Sequence, residues 1–217
     1  MNQGKSSLNA HIEKLLRKAP ELLDLISAET EKDFDAAFLP YLEKSISDIE
    51  KSKTLFQNLS EDGLSSILVM GLSVPGLTVT REAHSNGHVD LTIVADHCSP
   101  IRVKLGEAKI YGGFAYHVKG LTQLIGRYST GREGSGFLIE YFKKGNIKEL
   151  VQGLRDQMDK KLPLNQTDKS ANHTLKWAFS TNHKHSSGET LKVQHIGCNL
   201  CSEDVKKTHK SKKVIKK

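Results

Sequence analysis

The chain has 217 residues, of which 37 % are hydrophobic, 26 % charged and 6 % aromatic. That is enough for one domain with a full core plus an appendage, or two small domains, and it excludes disorder throughout. No run of about 18 apolar residues exists to span a membrane. The N-terminal stretch MNQGKSSLNAHIEKLLRK lacks the apolar segment of a secretory signal, so a cytoplasmic protein with three reduced cysteines is expected.

The net charge of +7 has a local origin. Residues 205–217 carry seven lysines and no acid, and without them 25 basic residues face 25 acidic ones. A lysine run of this kind either holds nucleic-acid phosphates without reading sequence or forms a solvated end.

Three regions follow along the chain: a helical appendage over 1–57, an α/β domain over 58–201 and the basic tail over 202–217. Leu8, Ile12, Leu15 and Leu16 recur at helical spacing, as do Leu22, Leu23, Leu25 and Ile26 after Pro20. Phe34, Ala37, Phe38, Leu42, Ile46 and Ile49 continue the pattern, with Pro40 as a kink or division. Two or three amphipathic helices are expected there, packed on the main domain or on a second copy.

From Ser60, a plausible N-cap ahead of Glu61 and Asp62, another helix runs to about Gly71–Pro75. Two alternating runs, LTVTREAH and HVDLTIV, flank Ser85-Asn86-Gly87, a hairpin signal. The run IRVKLGEAKI is a third strand. After Gly112-Gly113, the stripe His117, Leu121, Leu124, Ile125 and Tyr128 marks a helix. GFLIEYF (136–142) is a strand, 146–159 a helix, 162–172 a polar linker, and HTLKWAFST and TLKVQHI two last strands. NHKHSSGE between them reads as an exposed loop. The fold class is therefore α/β, a mixed central β-sheet flanked by helices, with an N-terminal helical appendage.

The chemistry concentrates on the third strand. Ile101, Val103, Leu105, Glu107 and Lys109 share one face, and its apolar stripe ends in a carboxylate and an ammonium. Such groups are expensive there unless paired or used. On the preceding strand Asp90 has the parity of Thr92 and Val94 and can approach Glu107. A hard divalent cation between two carboxylates relieves their repulsion, and Mg²⁺ suits such a site.

Asp90, a gap of sixteen residues, then Glu107-Ala108-Lys109, with the order of elements around them, resembles the PD-(D/E)XK nuclease superfamily, the restriction-endonuclease-like fold, over about residues 58–143. The resemblance implies a Mg²⁺-dependent (or Mn²⁺-dependent) endonuclease acting on DNA or, less often, RNA. It implies Asp90, Glu107 and the Ala108 carbonyl as metal ligands, and Lys109 as the group that orients or deprotonates the attacking water. It also implies an acid on the helix before the hairpin, where Glu61 fits and Asp62 is one residue off. A polar residue on the later helix is the remaining element, and Gln123 fits. Val89 stands where the family often has proline, and Arg127 where one branch has tyrosine.

Arg127 falls four residues after Gln123, a spacing that places both on one helix face and allows a phosphate clamp. Tyr111 and Tyr116 beside the glycine pair would pack or stack on bases. A homodimer would bring two sites to two strands, and a role in restriction or anti-phage defence follows by analogy. A catalytically inactive nucleic-acid-binding or assembly module of the same fold, and a ribonuclease, are the alternatives. Cys198-x-x-Cys201 with His195 ahead makes a zinc set only with a fourth ligand, from His183, His185 or His209; two reduced cysteines are the default.

Overall fold

The computed structural model describes residues 7–81, 83–84 and 88–202. The lysine-rich run, His209 and the Ser85-Asn86-Gly87 turn lie outside them.

The N-terminal region forms four helices: α1 (Leu8–Lys18), α2 (Pro20–Ile26), α3 (Glu31–Lys51) and α4 (Lys53–Phe56). Pro20 takes the first position of α2, where its missing N–H costs no helical bond. Thr30 and Asp33 start α3 with a reciprocal capping box. Pro40 does not divide α3. Its ring is exposed, while Phe34, Ala37, Phe38, Leu42, Ile46 and Ile49 form an unbroken buried stripe across it. That continuous burial outweighs one lost hydrogen bond on the solvent side. Helix α1, by contrast, buries none of its residues.

Next comes α5 (Glu61–Leu72), whose N-cap Ser60 accepts a hydrogen bond from the Gly63 N–H. The strands are β1 (Thr78–Thr80), β2 (Ala83–His84), β3 (His88–Val89), β4 (Leu91–Ala95), β5 (Arg102–Ile110), β6 (Ser135–Phe142), β7 (Ala171–Asn172), β8 (Ala178–Lys184) and β9 (Thr190–Asn199). Helix α6 (Phe114–Gln123) and a π-helical turn over Leu124–Tyr128 lie between β5 and β6, and α7 (Ile147–Lys161) lies between β6 and β7. Seven strands make one mixed sheet in the order β1-β4-β5-β6-β9-β8-β7, while β2 and β3 pair apart. The central pairs β5–β6 and β6–β9 are parallel, and the flanking pairs antiparallel. The architecture is thus α/β, with a mixed sheet between helices and a helical N-terminal region.

Two cores cover the two faces. Helices α2, α3 and α5 pack Leu25, Phe34, Phe38 and Leu68 against Leu91, Ile93, Phe137, Ile139 and Tyr141. On the opposite face α6 and α7 pack Leu121, Leu154 and Met158 against Leu105, Leu138, Phe179 and Val193. Lys104, fully buried on the first face, pairs with Asp35 of α3 and with Ser135, which ties the N-terminal helices to β5.

Several boundaries differ from the sequence expectation. Each of the two hairpin runs is interrupted, so Asp90 sits at the break between β3 and β4 rather than inside a strand. Ile101 precedes β5 and is 59 % exposed, so the apolar face starts at Val103. The polar linker lies along β8, with Thr167 donating to the Asn182 carbonyl. Strand β8 starts only after Trp177, which adopts φ +56°, and it extends through His183 and Lys184 into the segment read as a loop.

Gly106 interrupts the side chains of β5 for a packing reason. It lies beside Phe137 in register, and a Cβ there would stand inside contact distance of the Phe137 ring. Gly106→Ala is expected to destabilise the fold by roughly 1–3 kcal/mol through overpacking, read as a lower urea midpoint at unchanged m-value.

Candidate active site

The site lies where β4 stops short of its partner. Pairing between β4 and β5 reaches Leu91 opposite Gly106, so the edge N–H groups of Ala108 and Ile110 extend beyond it. Two carboxylates satisfy them. Asp90 Oδ2 accepts from the Ala108 N–H at 3.1 Å, and Glu61 Oε2 from the Ile110 N–H at 2.9 Å. Glu61 reaches β5 because the Ser60 cap starts α5 there.

The same carboxylates converge on one ammonium. Lys109 Nζ stands 2.6 Å from Glu107 Oε1, 3.1 Å from Glu61 Oε1 and 3.4 Å from Asp90 Oδ2. Glu107 is fully buried and Lys109 8 % exposed. Helix α6 presses on both: a Cβ on Gly120 would lie 3.2 Å from Lys109 Cγ and 3.6 Å from Glu107 Cγ. This close approach restricts the rotamers of the pair.

The electrostatics follow from burial and crowding. Desolvation, with the neighbouring Asp90 charge second, pushes the Glu107 carboxyl up from 4.5 to about 7 against the pull of Lys109. For Lys109 desolvation acts downward, but the hydrogen bond and charge of Glu107, with Asp90 and Glu61, outweigh it and raise the ammonium above its ordinary value. Three carboxylates around one cation leave an excess of negative charge. Lys109 engages Glu107 Oε1, while Oε2 has no hydrogen-bond donor among the described residues. A buried carboxylate with unused acceptor capacity in a net-acidic site fits a divalent cation. Among the described residues, no group of three His, Cys, Asp or Glu side chains stands ready as a metal cage. Lys109 occupies the point on which the acids converge.

Of the residues the sequence singles out, Glu61, Asp90, Glu107 and Lys109 come together here. A strand residue exchanges both its N–H and its C=O with one neighbouring edge, so the Ala108 carbonyl looks out on the side where its N–H meets Asp90. Gln123 is half-buried at the last residue of α6, about one turn beyond Gly120. Arg127 does not keep the expected α-helical register with it, because the wider π turn intervenes and leaves Arg127 exposed. Among the described residues the zinc set is not assembled: His195 stacks on Phe179 of the second core, Cys198 packs in the first core on the other face of β9, and all three cysteines are free.

The sequence reading missed a buried polar row on the same sheet face. Glu140, His117, His195, Thr181 and His183 are all at most 2 % exposed and bonded in series. The signal was present as Glu140 inside the apolar run GFLIEYF and His117 within an apolar helical stripe. Comparison with protein-family models, with curated proteins and with solved structures returned no match, so the function has to be read from this geometry.

Proposed function

We propose that the protein is a metal-dependent phosphodiesterase, a DNA endonuclease built on a restriction-endonuclease-like sheet. The observation that carries this reading is the convergence of Glu61, Asp90 and Glu107 on Lys109 at the open end of β5. A module that only binds nucleic acid has no use for three acids, which repel phosphates. Asp90, Glu107 and the Ala108 carbonyl would hold Mg²⁺ or Mn²⁺, with Glu61 beside them. When bound, such an ion supplies an activated water and a counter-charge for the phosphate.

The chain's own groups divide the remaining work. Lys109 keeps its proton and donates a hydrogen bond to a nonbridging phosphate oxygen as negative charge builds there. Glu107, whose carboxyl burial pushes up to about 7, would give up its proton on taking the ion, so metal binding there is coupled to proton release. Glu61 and Asp90 set the position of β5 through the Ala108 and Ile110 N–H groups while they steady Lys109. Gln123, at the end of α6 about one turn beyond Gly120, would be the polar residue that this helix supplies. The substrate is DNA in preference to RNA, the assembly a homodimer and the setting cytoplasmic defence against foreign DNA.

Incubating the purified protein with plasmid and with RNA, in Mg²⁺, Mn²⁺ or EDTA, tests the reading. Metal-dependent nicking of plasmid that EDTA abolishes is expected. Degradation of RNA alone would reassign the substrate. Binding without cleavage in either metal would replace the enzyme with a binding module.

A further inference from the structure

His117 Nδ1 lies 2.8 Å from Glu140 Oε1, and His117 Nε2 lies 2.9 Å from His195 Nδ1. His195 Nε2 is 2.6 Å from Thr181 Oγ1, which is 2.7 Å from His183 Nε2. His183 Nδ1 ends the row 3.1 Å from the Leu164 carbonyl oxygen. Five buried side chains from α6, β6, β8 and β9 are thus bonded end to end.

The last partner sets the direction of every bond. A carbonyl oxygen only accepts, so His183 donates through Nδ1. A neutral His183 then accepts at Nε2 from the Thr181 hydroxyl. Thr181, having given its proton, accepts from His195 Nε2, and His195 Nδ1 accepts from His117 Nε2. Either Glu140 is the neutral acid that donates to His117 Nδ1, or His117 is an imidazolium that donates to the Glu140 carboxylate. In both states the row holds one proton more than three neutral imidazoles and a carboxylate, and its net charge is zero. With that proton removed and Glu140 ionised, every bond reverses and the bare Nδ1 of His183 faces the Leu164 oxygen.

The surroundings agree with this count. Burial lowers the His183 and His195 imidazoles below their ordinary value, as neutral rings require, and raises Glu140. Glu140 Oε2 accepts no hydrogen bond among the described residues, which suits the carbonyl oxygen of a neutral acid better than half of a carboxylate. The cavity of about 10 Å³ beside Glu140 is otherwise walled by Phe142, Val151, Leu154, Trp177 and Phe179.

The end that holds the proton adjoins the active site. Glu140 is the register partner of Lys109 across the parallel β5–β6 pair. His117 lies one turn before Gly120, the point where α6 presses on Lys109 and Glu107. We propose that Glu140, His117, His195, Thr181 and His183 form a one-directional hydrogen-bond array that retains one proton at its Glu140 end and so keeps a fourth carboxylate from drawing Lys109 out of the site. His117 and Glu140 are then positioning residues, and the effect on cleavage rests on the nuclease reading.

Thr181 separates the alternatives because it is the midpoint of the array, and its hydroxyl bonds to His183 and His195 rather than to Lys109 or Glu107. In ¹⁵N-histidine-labelled protein, His183 is expected as the Nδ1–H tautomer, and His195 as the Nε2–H tautomer. In Thr181→Val, His183 keeps its tautomer, His195 loses its fixed one, and the ¹⁵Nζ signal of the Lys109 ammonium shifts; Thr181→Ser restores both. Metal-dependent cleavage falls roughly ten- to hundredfold in Thr181→Val, the usual effect of a lost supporting hydrogen bond, and returns in Thr181→Ser. An Nε2–H tautomer at His183 in the unaltered protein overturns the array, whether or not the variants fold. An unchanged Lys109 signal in folded Thr181→Val overturns its positioning role. The stated tautomers and Lys109 response in a protein that cleaves nothing uphold the array and overturn the nuclease reading instead.

Discussion

Lys109→Ala is expected to remove metal-dependent cleavage, with a loss of about 10²–10⁴-fold in turnover, the range measured when one positioned donor or proton-transfer group is removed. The geometry gives two reasons. Among the described residues, Lys109 is the cation paired with Glu61, Asp90 and Glu107, so its removal leaves three acids to repel the incoming phosphate. It is also the group placed to meet the charge that builds on phosphorus oxygens. The fold should survive. Truncating one partner of a buried pair costs about 3–5 kcal/mol when the other charge stays stranded, but Glu107 is already shifted to about 7 and can take a proton instead. The loss in stability at neutral pH should therefore fall below that range. Lys148→Ala, on the exposed side of α7, serves as the control and should cleave normally. A folded Lys109→Ala protein that nicks plasmid at the original rate would remove Lys109 from the chemistry.

What the sequence discloses about this site is set by the range of the forces involved. The parity of Glu107 and Lys109 along β5 is a local property of an extended chain, so it can be read from spacing alone. Ser60 and Glu61 are legible for the same reason, since a cap and the acids of the first turn act within one turn of helix. That Glu61 reaches the Ile110 N–H is not legible, because it depends on where α5 docks after the cores form. The break at Asp90 escapes a reading based on alternation, since the polar–apolar pattern continues straight through it. Strand β8 hides for a related reason: its inward side chains at the C-terminal end are Thr181 and His183, which an apolar pattern registers as exposed. Their burial is compensated by His195, 14 positions from Thr181, and by the Leu164 carbonyl, 19 positions from His183, and in the same row His117 and His195 are 78 positions apart; nothing local announces such pairs. Pro40 misleads in the opposite sense, because its local penalty is outweighed by the stripe from Phe34 to Ile49.

Glu107→Gln should make the protein inactive and, in alkaline solution, more stable relative to the unaltered chain than it is in acid. The sign follows from burial. Glu107 in the folded state holds its proton to about 7, whereas the unfolded carboxyl releases it near 4.5. Between those values the native state binds more protons than the unfolded one, so stability falls as the pH rises. The contribution is intact below about 4.5 and is lost above about 7, and a displacement of this size corresponds to ~3 kcal/mol. A glutamine keeps the shape and has no such slope. Urea denaturation at pH 4.5, 6 and 8 should show the difference between the two proteins moving by ~3 kcal/mol in favour of Glu107→Gln. Half-buried Glu31 and Glu50 and buried Glu140 also bend the curve of each protein, but they are common to both and cancel in the difference. Mg²⁺ at pH 8 should then reverse the order. An ion at a hundred times its Kd stabilises the chain that binds it by about 2.7 kcal/mol, and Glu107→Gln lacks the carboxylate to hold it. Parallel stability curves at all three pH values would mean that Glu107 ionises like an exposed acid. The crowding of three carboxylates on Lys109 would then be a relaxed structural cluster rather than a strained site kept for catalysis.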